Sequence, residues 1–176
     1  MSLVVTHVSF RDYRNLGNRE LDPAPGVTVL VGPNAAGKTN TVEALQCLTT
    51  GSSFRRPSPA ELVGPGAAEA HVRGRLEGDG RVVDVELAAT PEKRRFQKNG
   101  KPCRAADLAG TLLSVLFCPD DLSLVKGSAS RRRGELDAFG AQANAGYRKV
   151  LATYTRSVEQ RNRLLRDGCD PVLLDA

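Results

Sequence analysis

The residues best equipped for chemistry lie in one turn, Gly32-Pro33-Asn34-Ala35-Ala36-Gly37-Lys38-Thr39. Their order is G-x-x-x-x-G-K-[ST], the spacing of a loop that cradles phosphate groups with main-chain N–H donors. Gly32 and Gly37 let the backbone turn successive N–H groups toward one point, making a nest for an anion. Lys38 is placed to reach β- and γ-phosphate oxygens. The Thr39 hydroxyl is a hard oxygen ligand of the kind Mg²⁺ takes, which makes Thr39 the candidate metal residue. With Asn40 added, residues Gly32, Pro33, Asn34, Ala35, Ala36, Gly37, Lys38, Thr39 and Asn40 form the candidate set for binding a nucleotide and its Mg²⁺.

Such a loop works only if both of its ends are fixed. Before it stands Val27-Thr28-Val29-Leu30-Val31, a short β-branched run that reads as a buried parallel strand. After it, Val42, Leu45 and Leu48 recur at helical spacing, and Gly51 is placed to stop the helix. A helix beginning near Lys38 aims its free N–H groups and positive dipole end at the nest. Strand, loop and helix together are the context the motif requires.

The chain has 176 residues, enough for one good-sized domain and its core. Its net charge is +5, and most of its 25 cations are Arg, whose planar forks match phosphate geometry; a polyanionic partner fits this balance. Cys47, Cys103, Cys118 and Cys169 lie far apart and only His7 and His71 accompany them, so zinc spacing is absent. Free thiols in a reducing cytoplasm are the expectation. Neither a leader peptide nor a membrane span is read from the sequence, and a soluble, cytoplasmic protein is expected.

Val4, Thr6, Val8 and Phe10 alternate as a strand with one buried face, and Arg19 to Leu21 reads as a short partner. Thr50 to Pro59 is a loop rich in Ser, Arg and Pro, carrying Arg55 and Arg56. From Ala70 to Lys101 the pattern changes to hairpins: Val72, Gly74 and Leu76 precede Gly78-Asp79-Gly80, Val83, Val85 and Leu87 follow it, and Asn99-Gly100 makes another tight turn. An antiparallel sheet beside the parallel one is expected, rimmed by Lys93, Arg94, Arg95, Lys98, Lys101 and Arg104, either as edge protection or as a polyanion contact. Ala106 to Gly110 reads as a helical turn and Leu112 to Phe117 as another buried strand. An acidic pair would directly follow that strand. Cys118 and Pro119 intervene before Asp120 and Asp121, which favours a switch or contact loop. From Ala129 the chain reads as helical, with Leu136 and Phe139 on one stripe and Tyr147, Val150, Leu151, Tyr154 and Val158 on another. Arg131, Arg132 and Arg133 fall in its first turn, against the helix dipole, so neighbouring acids or DNA phosphate should offset them.

The order of these segments resembles the RecF family of bacterial DNA replication and repair proteins, ABC-type ATPases related to the heads of SMC and Rad50 proteins. The residues that carry it are Phe10-Arg11-Asp12-Tyr13-Arg14-Asn15-Leu16, Gly37-Lys38-Thr39-Asn40 with Glu43-Ala44, Asn99-Gly100, and Asp107-Leu108-Ala109-Gly110. Further on, Val115 to Leu122, Leu124-Val125-Lys126-Gly127, Arg131 to Arg133 and Gln160-Arg161-Asn162 complete it. The resemblance implies an α/β P-loop NTPase head with a mixed sheet around the P-loop helix, an antiparallel β subdomain and the start of a helical second lobe. It divides the chain into an ATP-binding lobe, 1–127, and the first helices of an incomplete lobe, 128–176. Within the first lobe it puts a P-loop core at 1–60, the β subdomain at 68–105 and a return strand at 111–127.

The same resemblance implies ATP and Mg²⁺ as cofactors, and DNA at single-strand gaps and single/double-strand junctions as a partner. It also implies a homodimer formed on ATP binding in the full-length protein, and other recombination mediators as partners. Arg11, Tyr13 and Arg14 fall where the first strand passes the nucleotide base. Together with Arg55, Arg56, Arg131, Arg132 and Arg133 they form the candidate base-side or DNA contacts. Phe117 to Asp121 falls at the Q-loop, with Cys118 and Pro119 where a glutamine would be sought. Ala35 stands where the family has glycine, which suits it only if that residue needs no positive φ. Gly134, costing ~1 kcal/mol relative to Ala in a helix, leads to a helix that bends or begins late. The signature motif and the acidic pair that follow in the family are missing from this sequence, so the chain reads as an N-terminal portion, with no catalytic residue of its own and negligible hydrolysis.

Two other readings share these residues. A free-standing P-loop GTPase or kinase would use Asp107-Leu108-Ala109-Gly110 as D-x-x-G, but no N-K-x-D follows. A non-catalytic DNA-binding module with a relic P-loop would use the basic hairpins and Arg131 to Arg133.

Overall fold

A computed structural model describes residues 3–118 and 123–166. The chain divides into two compact units, 1–116 and 117–176, within the segment 111–127 expected to form the return strand.

The first unit is built on one six-stranded antiparallel sheet. In chain order its strands are β1 (Val4–Arg11), β2 (Arg19–Leu21), β3 (Ala70–Gly78), β4 (Arg81–Ala89), β5 (Arg94–Lys98) and β6 (Lys101–Cys103). Their spatial order is β2-β1-β3-β4-β5-β6. The period-2 pattern read from the sequence decides which face is buried: Val72, Leu76, Val83, Val85 and Leu87 point into the core, while Arg73, Arg75 and Asp84 point out. The β3–β4 and β5–β6 hairpins are each closed by two residues in left-handed backbone, Asp79-Gly80 (φ 51 and 70) between Gly78 and Arg81, and Asn99-Gly100 (φ 50 and 72) between Lys98 and Lys101. That geometry matches the right-handed twist of the strands.

Helix α1 (Lys38–Thr50) lies on the apolar face. It buries Ala44, Cys47 and Leu48, with Val42 and Leu45 half-buried, so the seam is turned slightly from the one the sequence suggests. Gly74 sets how close it comes, since a Cβ there would fall 2.7 Å from Leu48 Cδ1. Gly51 ends the helix at φ 72, its N–H donating to the Cys47 carbonyl at 2.9 Å. A short helix, α2 (Ala105–Leu108), packs beside α1, with Leu108 fully buried.

Two expected strands differ. Residues 27–31 and 112–117 form no strand pairing, and every strand pairing among the described residues is antiparallel. Val27, Val29 and Val31 are 79%, 73% and 89% exposed. Leu113, Val115 and Phe117 are exposed as well. A strand apolar on both faces is stable only between two neighbouring strands and under helices; among the described residues neither run is paired with a strand, although the Ser114 hydroxyl meets that of Thr49 at 2.8 Å.

The second unit contains α3 (Ser123–Lys126), α4 (Ala129–Ala143) and α5 (Ala145–Arg166). Of the bend or late start expected from Gly134, the late start does not occur, because α4 begins at Ala129 and runs through Gly134. The Ser128 hydroxyl caps it by accepting from Arg131 N–H at 3.3 Å, which offsets the cost of the glycine. Helices α4 and α5 form a hairpin in which the Tyr147 ring lies against Gly140, where a Cβ would come within 2.8 Å. The Asn144 side chain accepts from Tyr147 N–H at 3.0 Å, starting α5. Leu136, Phe139, Val150 and Tyr154 are exposed, and neither α4 nor α5 has a buried residue. No helix among the described residues is long and apolar enough to cross a membrane.

Candidate nucleotide-binding site

The loop Gly32 to Gly37 ends against the N-terminus of α1. Gly37 takes φ 95, and a Cβ there would fall 2.4 Å from Leu16 Cδ2, so the close approach of the loop to residues 15–16 requires glycine. The Lys38 ammonium folds over the loop and donates to the Gly32 and Pro33 carbonyls, both at 2.8 Å. This holds a positive charge beside the main-chain donors at the helix end. Thr39 is exposed in the first turn of α1. No cluster of three His, Cys, Asp or Glu able to hold a metal occurs among the described residues. A lone hydroxyl suits a cation whose other ligands are phosphate and water oxygens, as is usual for Mg²⁺. The donors present fit a nucleotide with Mg²⁺: Gly32 to Thr39 would surround the phosphates, Lys38 would balance their charge and Thr39 would hold the metal.

Ala35 departs from what its residue type favours. It lies at φ 63, in the left-handed region that the sequence reading required it to avoid. An L-residue there costs roughly 1–2 kcal/mol, against roughly 0.5–1 kcal/mol of extra unfolded-state entropy for glycine. Ala35→Gly is therefore expected to raise the free energy of unfolding by about 0.5–1 kcal/mol, read from urea denaturation.

A buried ionic clasp holds the start of α1 to the chain around it. Glu43 has no exposed surface. The Arg14 guanidinium donates to both its oxygens, at 2.6 and 2.9 Å, Ser53 Oγ donates at 2.6 Å, and Arg55 approaches at 3.5 Å. Burial pulls the Arg14 guanidinium down, but its hydrogen bonds and ion pair with Glu43 outweigh that and raise it. Tyr13 is fully buried, its hydroxyl without a hydrogen-bond partner, and burial pushes the phenol far above its ordinary range. Tyr13 and Arg14 thus belong to the core and the clasp, and the expectation that they face a base or DNA is corrected. Arg11 is exposed and pairs with Glu69 at 3.4 Å.

Asn40, expected from the sequence among the nucleotide ligands, bridges Asn15 and Arg55 at 2.7 Å each. Arg55 also lies over the Phe54 ring, 5.4 Å from its centre. Arg56 is exposed. Arg131, Arg132 and Arg133 are exposed on α4, and no acid pairs with them among the described residues. Asp120 and Asp121, with most of the expected Q-loop segment, lie outside the described residues. The sequence missed Glu43, Ser53 and Asn15 as working parts; only their place in motif strings hinted at the first and last.

Cys47 lies 2% exposed beneath this cluster, and burial, with the charge of Glu43, pushes its thiol up to about 11. The fold favours the neutral thiol, so its contribution to stability is complete below the unfolded pKa of about 8.5–9. It is lost as pH rises from there to about 11. Stability is expected to fall by about 2–3 kcal/mol more across that window than in Cys47→Ala, measured by urea unfolding at each pH.

The fold and loop define a P-loop ATPase head, and the chain belongs to the AAA domain family, whose model matches residues 7–162. Among curated proteins it is similar to the DNA replication and repair protein RecF of Heliobacterium modesticaldum, 43% identical over 159 residues. It is also similar to that of Kineococcus radiotolerans, 44% identical over 166 residues. The matches cover 89% and 93% of this chain but 42% of each relative, so the chain spans less than half the length of these proteins. Among solved structures, the recombination mediator protein RecF-ATP of the RecFOR pathway superposes with a TM-score of 0.85 at 29% identity, over 98% of this chain and 48% of that one. A structure of an SMC ATPase superposes at 0.60 with 20% identity, a likeness of fold.

Proposed function

We propose that this chain is the nucleotide-binding portion of a DNA recombination and repair ATPase that acts at single-strand gaps and whose heads dimerise on DNA when ATP is bound. The observation that carries this reading is the Lys38 ammonium held over the Gly32–Gly37 loop at the head of α1, in a chain more than 40% identical to curated RecF proteins. Here the main-chain N–H groups of the loop and α1 bind phosphate oxygens, Lys38 balances β/γ charge, and Thr39 orients the metal. Bound Mg²⁺ would supply charge neutralisation at the β- and γ-oxygens. Hydrolysis in such heads needs an acid for metal and water and a partner's signature helix over the γ-phosphate. Residues 1–176 are therefore expected to bind ATP weakly and turn it over negligibly.

Calorimetric titration with ATP and GTP, with and without Mg²⁺, tests the site. ATP preferred over GTP and strengthened by Mg²⁺ is the expected result; equal affinity favours a stand-alone GTPase or kinase. Titration with gapped and continuous duplex DNA tests the partner. The exposed Lys93, Arg94 and Arg95 at the β5 edge and Arg131 to Arg133 on α4 supply phosphate contacts, so affinity should fall steeply with salt. DNA binding indifferent to ATP would support the relic reading, and measurable Lys38-dependent turnover by the chain would overturn the inactivity.

A further inference from the structure

We propose that Asn15 is a positioning residue of the phosphate loop, set in its working orientation by a hydrogen-bond relay that starts at Arg55 and passes through Asn40. The proposal rests on the nucleotide-binding reading of the loop and adds to it the means by which a strained loop is held ready.

The polarity of the relay follows from chemistry. Arginine can only donate, so the residue facing Arg55 Nη1 at 2.7 Å must offer an oxygen, and Asn40 turns Oδ1 toward it. The other end of that amide, Nδ2, then points to Asn15 and donates to its Oδ1 at 2.7 Å. Asn15 is thereby left with its own Nδ2 facing the loop, where it donates to the Ala35 carbonyl at 2.6 Å. Each amide has one donor end and one acceptor end, so a single donor-only group at the start fixes the sense of every bond after it.

The last bond lands on the one residue of the loop whose backbone is costly. Ala35 sits at φ 63, a conformation that persists in a non-glycine residue only where its surroundings over-determine it. Asn15 supplies that restraint, and Leu16 beside it meets Gly37 so closely that the far end of the loop is seated as well. Arg19 adds a longer contact, Nη1 to the Ala36 carbonyl at 3.4 Å. The start of the relay is itself anchored, since Arg55 is drawn to Glu43 and lies over Phe54. The loop that carries Arg55 is in this way coupled to the nest.

The test separates positioning from folding. In the nucleotide-free chain, the ¹³Cα and ¹³Cβ shifts of Ala35 report its φ, and they should leave left-handed values in Asn15→Ala and in Asn15→Asp, which cannot donate to the carbonyl. ATP affinity should fall about tenfold in both variants, the equivalent of one lost hydrogen bond at about 1.4 kcal/mol. The double variant Asn15→Ala/Ala35→Gly should return to within threefold of the parent chain, because glycine holds positive φ unaided. Arg55→Ala should shift Ala35 in the same direction. Unchanged Ala35 shifts in Asn15→Ala, or an affinity loss that Ala35→Gly fails to recover while urea unfolding shows the variants folded, would overturn the proposal. If the parent chain binds no ATP, the nucleotide-binding reading fails, and the shift measurements still decide the relay.

Discussion

Lys38→Ala is expected to lower ATP affinity by 30-fold to 1,000-fold while leaving the fold intact. In the free chain the ammonium is held by two carbonyls of the loop, at 2.8 Å each, and those carbonyls are open to water once it is removed. The loss in stability should therefore stay below about 1 kcal/mol. With a triphosphate in the nest the accounting changes. A charge-assisted bond to phosphate in a partly enclosed site contributes about 2–4 kcal/mol, which is the stated range of affinity. Calorimetric titration of parent and variant gives the affinity, and thermal unfolding without ligand gives the stability. An equal loss of both would mean that Lys38 is a strut of the loop rather than a phosphate ligand. Lys38→Arg would not substitute, because a planar fork cannot place a compact charge under the loop.

Glu43→Gln is the second large effect, and its target is stability. Glu43 has no exposed surface, and its two oxygens take four donor contacts from Arg14, Ser53 and Arg55. The amide keeps the shape but turns a donor toward at least one donor, and it removes the charge that holds the largely buried Arg14. Breaking a buried pair from one side costs roughly 3–5 kcal/mol, since the partner's charge stays behind uncompensated. For a domain of ordinary stability this is a large part of the total. Urea unfolding should show the midpoint fall accordingly. Arg14→Met together with Glu43→Leu should recover part of the loss, because an apolar pair leaves no buried charge behind. No recovery in the double variant would mean that the clasp also fixes the backbone of residues 12–16.

How far the sequence alone reaches can be followed element by element. The loop and α1 are legible because motif, helix period and the Gly51 stop all lie within twenty or so residues and agree. The hairpins are legible for the same reason: Asp79-Gly80 and Asn99-Gly100 permit one turn type, and alternation on either side fixes the register. The runs at 27–31 and 112–117 read correctly as apolar but not as paired strands, because pairing depends on neighbours that a run does not itself specify. Arg14 was misread for a related reason. An arginine near a nucleotide motif suggests a ligand, yet its partner is a carboxylate 29 positions away, found only when the chain is folded. Ala35 shows the limit of residue propensity: its type favours negative φ, and the hydrogen bond from Asn15 prevails. The basic rim at β5 resolves only in part, since Lys98 bonds the Thr111 hydroxyl and Arg104 pairs with Asp107, while Lys93, Arg94 and Arg95 stay exposed.

The bare valines at 27, 29 and 31 also govern how this chain behaves in a test tube. A β-branched apolar run left outside the sheet is a template on which another molecule can lay a strand. Because the attraction between apolar surfaces strengthens on warming from the cold, a solution kept near 4 °C should stay clear at concentrations that turn cloudy on the bench.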